Sequence, residues 1–383
     1  MATDRRALDR DAIHHHYDLS NEFYQLFLDP LMLYTCAYYR TPDGDLATAQ
    51  RDKLDLVCRK LRLRPGDTLL DIGCGWGSLA IWAAKHYGAR VLAVTLAEEQ
   101  VKYGQAWAQR EGLSDVCRIE HRDYRDLVGE GPFDKVAAIG IIEHVGIANY
   151  PSYFREVYGL LKPGGLFLNH GITHNRAWKR TPQWDFLIEH VFPNGELDHV
   201  SHITEVMEEA DLEILDVDNL RPHYARTCRH WAERLRANQR RAVELVGERT
   251  YRTWLLYLTS SSLAFEQRSL QLHQVLVSRN DARAEVVPTT REEVYLPFVA
   301  APLARAAGIP ARVVAGAMYA EDGFYYHAWT ELWLGSWVSA DAVFRQMPVD
   351  ATHVKLIEGG PERHLGLAEM VGQLRFERME AGS

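Results

Sequence analysis

The chain has 383 residues, 47% of them hydrophobic and 25% charged, and this length predicts two domains or one large core with an appendage. The formal net charge of -9 at pH 7 argues against nucleic acid as a partner, because phosphate binding needs a basic face. No apolar run approaches the roughly 20 residues of a membrane span, and no signal-peptide-like segment opens the sequence, so we expect a cytoplasmic protein.

The first fifty residues are charged at the start and aromatic afterwards. Phe23, Phe27 and Leu28 recur at helical spacing, which predicts an amphipathic helix that lies on another element. A second amphipathic helix is predicted from Thr48 to Leu61. The run from His14 to His16 does not predict a metal site, because adjacent side chains do not converge on one ion and no second ligand cluster lies nearby.

The stretch LLDIGCGWGS, from Leu69 to Ser78, predicts a strand, a tight glycine turn and a helix. A glycine pair alone is weak evidence of a ligand, because such turns occur at many strand ends. Here, however, Asp71 precedes the turn and is placed to receive a cationic group such as an amino acid ammonium. This order favours S-adenosylmethionine over a dinucleotide, and the alternative is a strand, turn and helix with no ligand.

Strands and helices then alternate, which predicts an α/β fold with a doubly wound parallel sheet. Strands are predicted at Arg90 to Leu96, Cys117 to His121 and Phe133 to Ile139, and a further one at LFLNHGI. Ligands of such sheets bind at the carboxyl ends of the strands. Polar residues at those ends are therefore expected to converge on one crevice, although each could instead cap a helix or a turn: Thr95, Gln100, Asp123, Glu143 and His170.

The alternation is interrupted by an aromatic insertion, from 174 to 230, that either roofs a pocket or packs between helices. A long helix is predicted from about Thr227 to Phe265, and a last strand from Leu270 to Val277. A polar linker is predicted at 280–297. Beyond it, segments of alternating character predict a small antiparallel sheet within 298–383.

The chain from its start to about Arg279 resembles the cyclopropane fatty acid synthase family, which includes the mycolic acid cyclopropane synthases. The resemblance is carried, in order, by separated motifs: HYDLSNEFYQLFLD, YTCAYY, LLDIGCGWGS, VTLAEEQ, IIEHVG, NHGIT, FPNG, LRPHYARTCRHW and LQLHQVLVSR. It implies that 1–279 forms a Rossmann-like class I methyltransferase sheet with a helical cap. It also implies methylene transfer from S-adenosylmethionine to a cis double bond of an acyl chain, forming a cyclopropane.

The family's binding residues carry over to matching positions. Its S-adenosylmethionine site corresponds to Tyr17, Tyr34, Thr35, Asp71, Gly73, Gly75, Thr95, Leu96, Gln100, Asp123 and Tyr124. Its bicarbonate ion, the implied general base, corresponds to Cys36, Glu143, His170, Ile172 and Tyr224. The sequence departs from the family pattern at Gly171, where threonine is frequent, and at Thr35, where serine is common.

The resemblance implies an unsaturated acyl chain as substrate, carried by phospholipid or by acyl carrier protein, with possible peripheral contact with the inner face of the membrane. Two alternatives stay open at this point. One is C- or N-methylation of a smaller substrate, since relatives on this fold methylate amines and other alkenes. The other is a binding module without activity, which the intact set of cofactor motifs disfavours.

The segment from Leu303 to about Gly360 resembles the later half of transglutaminase-like domains. His327 and Asp341 match two members of that family's catalytic triad, but no cysteine lies near Glu293, where the third is expected. Because thiolate chemistry needs the thiol, we expect a truncated, inactive appendage with a structural or docking role. The five cysteines of the whole chain are an odd set without C-x-x-C spacing, so they do not predict a disulfide framework.

Overall fold

The computed structural model describes residues 19–127, 129–192 and 195–281, and four later strands at 311–320, 323–333, 337–340 and 353–358. The chain divides into two compact units, Met1–Val287 and Pro288–Ser383. The predicted linker, 280–297, lies almost wholly outside the described residues, so its bounds stay a prediction. No helix in the described ranges is both long enough and apolar enough to cross a membrane.

The first unit alternates strands and helices along the chain. Its strands are β1 (Thr68–Ile72), β2 (Arg90–Thr95), β3 (Cys117–His121), β4 (Phe133–Ile139), β5 (Leu161–His174), β6 (Leu212–Asn219) and β7 (Leu270–Arg279). Its α-helices are α1 (Asn21–Gln25), α2 (Leu46–Lys60), α3 (Ser78–Tyr87), α4 (Glu98–Arg110), α5 (Ile142–Val145), α6 (Tyr150–Leu160), α7 (Pro182–His190), α8 (Val200–Glu209), α9 (Arg221–Ala237) and α10 (Gln239–Glu266). Short 3-10 helices lie at Tyr124–Asp126 and Ile147–Asn149.

The seven strands form one sheet in the order β3-β2-β1-β4-β5-β7-β6, which confirms the predicted doubly wound α/β fold. Successive residues of β1 point to opposite faces: Leu69 packs into the core on one side, and Leu70 and Ile72 into the core on the other. Both faces are therefore covered, as strands with continuous apolar runs require.

The sheet was predicted to be parallel, and β7 departs from that prediction, because it runs antiparallel to both β5 and β6. The reason lies in the connection from β6 to β7. Arg221, at the start of α9, donates to the carbonyl of Phe265 at the end of α10, at 2.7 Å. Because the two helices form a hairpin, they return the chain to the sheet end where β6 stopped, and β7 must run back from there.

The predicted long helix from Thr227 to Phe265 is two helices. α9 begins six residues earlier than predicted, at Arg221, and the chain breaks at Asn238 before α10. Gly247 then interrupts α10 with φ 79° and ψ 160°, a conformation that glycine adopts without steric cost.

The helical cap is an aromatic cluster between the amino-terminal segment and the α9–α10 hairpin. Phe23 and Phe27 were predicted to face another element, and both are fully buried in this cluster beside Trp231 and Trp254. All five cysteines are free and buried: Cys36, Cys58, Cys74, Cys117 and Cys228.

Four strands of the second unit are described: β8 (Ala311–Ala320), β9 (Gly323–Trp333), β10 (Trp337–Ala340) and β11 (His353–Glu358). They form one antiparallel sheet in the order β10-β9-β8-β11, as predicted. His327 lies on β9 opposite Gly316 of β8. Asp341, and the region of Glu293 where a cysteine was expected, lie outside the described residues.

Candidate active site

A cavity of about 350 Å³ lies at the carboxyl ends of the central strands and extends under the helical cap. Such a volume is typical of small-molecule sites. Most of the sequence-predicted site residues line it: Tyr34, Thr35, Asp71, Gly73, Gly75, Thr95, Leu96, Gln100, Asp123, Tyr124, Glu143, Ile172 and Tyr224. Cys36 and His170 are buried in the described part of the chain but do not border the cavity. Tyr17 lies outside the described residues.

The glycine turn after β1 brings backbone to the cavity wall. Gly73 has φ +71°, and a Cβ built on it would lie 1.9 Å from Cδ1 of Ile141. Gly75 has φ +55°, also in the left-handed region. A side chain at either position would strain the turn, and one at Gly73 would also collide with Ile141, so glycine at these positions lets the backbone itself line the cavity.

Asp71 stands directly before this turn on β1 and is only 3% exposed. Its Oδ2 has no hydrogen-bond partner among the described residues. Burial raises the pKa of its carboxyl to about 7, and the nearby Lys53 ammonium opposes that rise. An unsatisfied buried carboxylate is costly, so this atom is suited to a cationic ligand group.

The ends of β2 and β3 supply the next part of the wall. Thr95 Oγ1 and Gln100 Oε1 lie 3.0 Å apart, which links the end of β2 to the first turn of α4. Asp123 is held by the Arg125 guanidinium at 2.6 and 2.8 Å, and that guanidinium lies 5.6 Å from the ring centre of Tyr124. These contacts fix the two loops that face the cavity.

Glu143, at the start of α5, brings a second buried carboxyl to the same cavity. Its Oε1 accepts a hydrogen bond from the Ile172 backbone N–H at 2.7 Å, while Oε2 has no partner among the described residues. Burial raises the pKa of Glu143 to about 7. Gly171 gives α5 its close approach to β5, because a Cβ there would lie 2.2 Å from Cγ2 of Ile142.

His170, on β5, is a neutral donor. The side-chain amide of Gln274 donates to its Nδ1 at 3.0 Å, so the ring proton lies on Nε2, which has no partner in the described ranges. Burial lowers its pKa well below the usual value. Nε2 of His170 and Oε2 of Glu143 are thus two buried polar atoms without a hydrogen-bond partner among the described residues, which native structures seldom leave unexplained.

The cap contributes the apolar part of the wall. Tyr224 stacks on Phe265 with ring centres 4.6 Å apart, and Tyr34 donates from its hydroxyl to that of Tyr257 at 3.1 Å. The predicted aromatic insertion also reaches the cavity, as a roof and not merely as packing between helices, through Trp184, Leu187, Ile188 and Phe192.

Cys36 lies behind this wall, with Sγ 3.2 Å from the carbonyl of Ala37. Burial raises the pKa of its thiol well above the usual value, so the thiol stays protonated.

Lys53 and Tyr257 are among the lining residues that were not predicted from the sequence. The sequence could have pointed to Lys53, because this residue falls on the apolar face of the amphipathic helix α2, where a lysine is unusual. It could not have pointed to Tyr257, since the contact of Tyr257 with Tyr34 joins residues 223 positions apart.

Comparisons with known proteins identify the family of the chain. The family model described as mycolic acid cyclopropane synthetase matches residues 4–275, and that of the transglutaminase-like superfamily matches 297–342. A probable fatty acid methyltransferase of Pseudomonas putida is 47% identical over 291 residues, which are 75% of this chain and 74% of the relative. The cyclopropane-fatty-acyl-phospholipid synthase of Escherichia coli is 39% identical over 264 residues, 69% of this chain and 66% of the relative.

Solved structures give the same answer for the fold. The cyclopropane synthase MmaA2 from Mycobacterium tuberculosis superimposes with a TM-score of 0.67 at 30% identity, covering 70% of this chain and 98% of that one. The mycolic acid cyclopropane synthase CmaA1, complexed with SAH and CTAB, gives a TM-score of 0.65 at 31% identity, with the same coverage.

Proposed function

This chain belongs to the mycolic acid cyclopropane synthetase family of methyltransferases, and from that premise we propose that it converts a cis double bond of an acyl chain into a cyclopropane. The one-carbon unit comes from S-adenosylmethionine. The observation that carries the proposal is a single cavity with two unlike ends: an unsatisfied carboxyl, Asp71, beside a glycine turn, and an aromatic wall under the cap.

The cofactor end fits the amino acid part of S-adenosylmethionine. Asp71 offers a carboxylate oxygen to the ammonium, and the turn at Gly73 and Gly75 leaves room for close backbone contact. Relatives support this assignment, because the CmaA1 structure holds SAH. We propose the matching residues Tyr17, Tyr34, Thr35, Thr95, Leu96, Gln100, Asp123 and Tyr124 for the rest of the site.

The aromatic end suits the chemistry of methyl transfer to an alkene. That reaction generates a carbocation, so its site must hold positive charge without offering a nucleophile or water. Tyr224, Phe265 and Tyr257 line this end, and burial raises the pKa of Tyr224 well above its usual value, which keeps the hydroxyl neutral. The wall therefore stabilises the cation without trapping it.

Ring closure also requires loss of a proton. We propose bicarbonate as the general base, a group of suitable strength that would be held by hydrogen bonds instead of a covalent tether. In this chain His170 supplies the Nε2–H donor, and Glu143 supplies an oxygen that can take up the proton, since its pKa is near 7. Cys36, Ile172 and Tyr224 complete the proposed site.

The carrier of the acyl chain is the finer part of the proposal. The Escherichia coli relative is named for fatty-acyl-phospholipid, which supports phospholipid as the carrier and a peripheral contact with the membrane surface. The alternative is methylation of a smaller substrate. It is disfavoured because it gives no role to the unpartnered atoms of Glu143 and His170.

The experiment uses purified protein, S-adenosylmethionine and vesicles of phospholipid with one cis double bond per chain. We expect the fatty acids to gain the mass of one CH2 group and to resist ozone, because a cyclopropane has no alkene left. A product of that mass that ozone cleaves would show that the protein methylates the double bond without forming a ring. Acyl carrier protein loaded with the same chain, tested in parallel, decides the carrier.

A further inference from the structure

Lys53 is a fully buried cation in the wall of the cofactor end. It lies near the middle of α2, is 0% exposed, and borders the same cavity as Asp71. Its Nζ donates to Oγ1 of Thr35 at 3.0 Å. Burying an ammonium costs several kcal/mol unless charge and hydrogen bonds compensate it, so its partners must be accounted for.

Five ionisable groups interact with this ammonium: Asp29, Asp71, His170 and the thiols of Cys36 and Cys58. Burial keeps both thiols protonated, because it raises their pKa well above the usual value, and keeps His170 neutral, because it lowers the pKa of the imidazole. Asp29 is a fixed counter-charge, since its two oxygens accept hydrogen bonds from the backbone N–H groups of Leu31 and Leu33 at 2.9 and 3.0 Å. Asp71 also has an oxygen without a hydrogen-bond partner among the described residues, and this oxygen is the one that a ligand can reach.

The charge states of Lys53 and Asp71 depend on each other. Burial lowers the pKa of Lys53 to about 8, and Asp29 and Asp71 act against that fall. Burial raises the pKa of Asp71 to about 7, and Lys53 acts against that rise. Without the ammonium, the carboxyl would become protonated at a higher pH and would lose its attraction for a cation.

We propose that Lys53 is a positioning residue of the cofactor site, whose buried ammonium keeps Asp71 ionised and holds Thr35 in place for the amino acid part of the cofactor. The inference rests on the proposed function, because it assumes that Asp71 binds that part. Lys53 then acts through Asp71 and Thr35.

The test is the affinity for S-adenosylhomocysteine, measured by calorimetry from pH 6 to 9. Lys53→Gln removes the charge but can still donate to Thr35, so it isolates the effect on Asp71. We expect it to lower affinity about tenfold at pH 6, since a rise of one unit in the pKa of Asp71 lowers its ionised fraction there about tenfold, and to lose little at pH 9. Lys53→Met, which also removes the hydrogen bond to Thr35, should add a loss that is the same at every pH.

Lys60→Met is the matched control. Lys60 lies two turns later on α2, is 1% exposed, and pairs with Asp218 at 2.8 Å, away from the cavity. It tests what the loss of a buried cation from this helix does to folding, and it should leave the pH profile of binding unchanged. If one of the two Lys53 variants does not fold, the other still reports whether the loss of affinity depends on pH.

A loss of affinity in Lys53→Gln that is equal at every pH would overturn the inference, because a merely structural role has that signature. If the wild-type protein itself does not bind S-adenosylhomocysteine, the proposed function fails first. The two failures are therefore distinguishable.

Discussion

The cavity has a sheet side, built at the carboxyl ends of β1 to β5, and a cap side, built by the amino-terminal segment, α9 and α10. The sheet side is polar and carries the two buried carboxyls, Asp71 and Glu143. The cap side is aromatic, and its hydroxyls pair with each other, as in Tyr34 with Tyr257. Under the proposed function, the sheet side carries the charged groups that bind the cofactor and move a proton, and the aromatic rings of the cap side keep water from the acyl chain.

The largest expected effect lies on the sheet side. Asp71→Ala removes the carboxylate assigned to the cofactor ammonium, so it should abolish detectable binding of S-adenosylmethionine in calorimetry. Charged hydrogen bonds of this kind, lost from a buried site, leave the partner charge unpaired. An unchanged affinity of this variant for S-adenosylmethionine would contradict the assignment of Asp71 to the cofactor.

The second effect separates proton transfer from binding. Glu143→Gln and His170→Ala should lower turnover by about 10²–10⁴-fold, as expected for loss of general base catalysis, and change cofactor affinity by less than about tenfold. Wild-type turnover should fall as the pH drops through about 7, where Glu143 gains its proton, and Glu143→Gln should lack that limb. Equal losses of cofactor binding and turnover would show that Glu143 and His170 are wrongly assigned to the base.

A smaller effect is expected on the cap side. Tyr257→Phe removes one hydrogen bond to Tyr34, worth about 1 kcal/mol, so cofactor affinity should fall less than tenfold. Tyr251→Phe is its control, because Tyr251 lies on the same helix but does not line the cavity. A hundredfold loss confined to Tyr257→Phe would mean that Tyr257 itself binds the cofactor.

The second unit should contribute nothing to the reaction. His327→Ala and Asp341→Ala are expected to leave methylene transfer unchanged, since an imidazole and a carboxylate without a thiol have no nucleophile to activate. Assays of the full chain for lipid product and for amide hydrolysis check both halves of this statement. An amidase activity that a thiol reagent stops, and that His327→Ala abolishes, would make the chain bifunctional.

The same two sides explain how far the sequence could predict the site. On the sheet side each residue lies at a fixed offset from a strand end, so local pattern located Asp71, Thr95, Gln100 and Asp123. On the cap side the contacts join distant segments, and Tyr257 could not be found from local pattern. The antiparallel direction of β7 was missed for a related reason, because it depends on the helix hairpin between β6 and β7. Lys53 was overlooked although a lysine on an apolar helix face is a visible anomaly.

The most direct test of the account supplies S-adenosylmethionine with a fully deuterated methyl group to the protein and unsaturated phospholipid vesicles, and counts deuterium in the product by mass spectrometry. Ring closure removes one of the three deuterons of the added methyl group. The account therefore predicts a product that keeps two deuterium atoms and resists ozone. A product that keeps all three would show that the cation is quenched without using the proposed base. That result would contradict ring formation in this cavity.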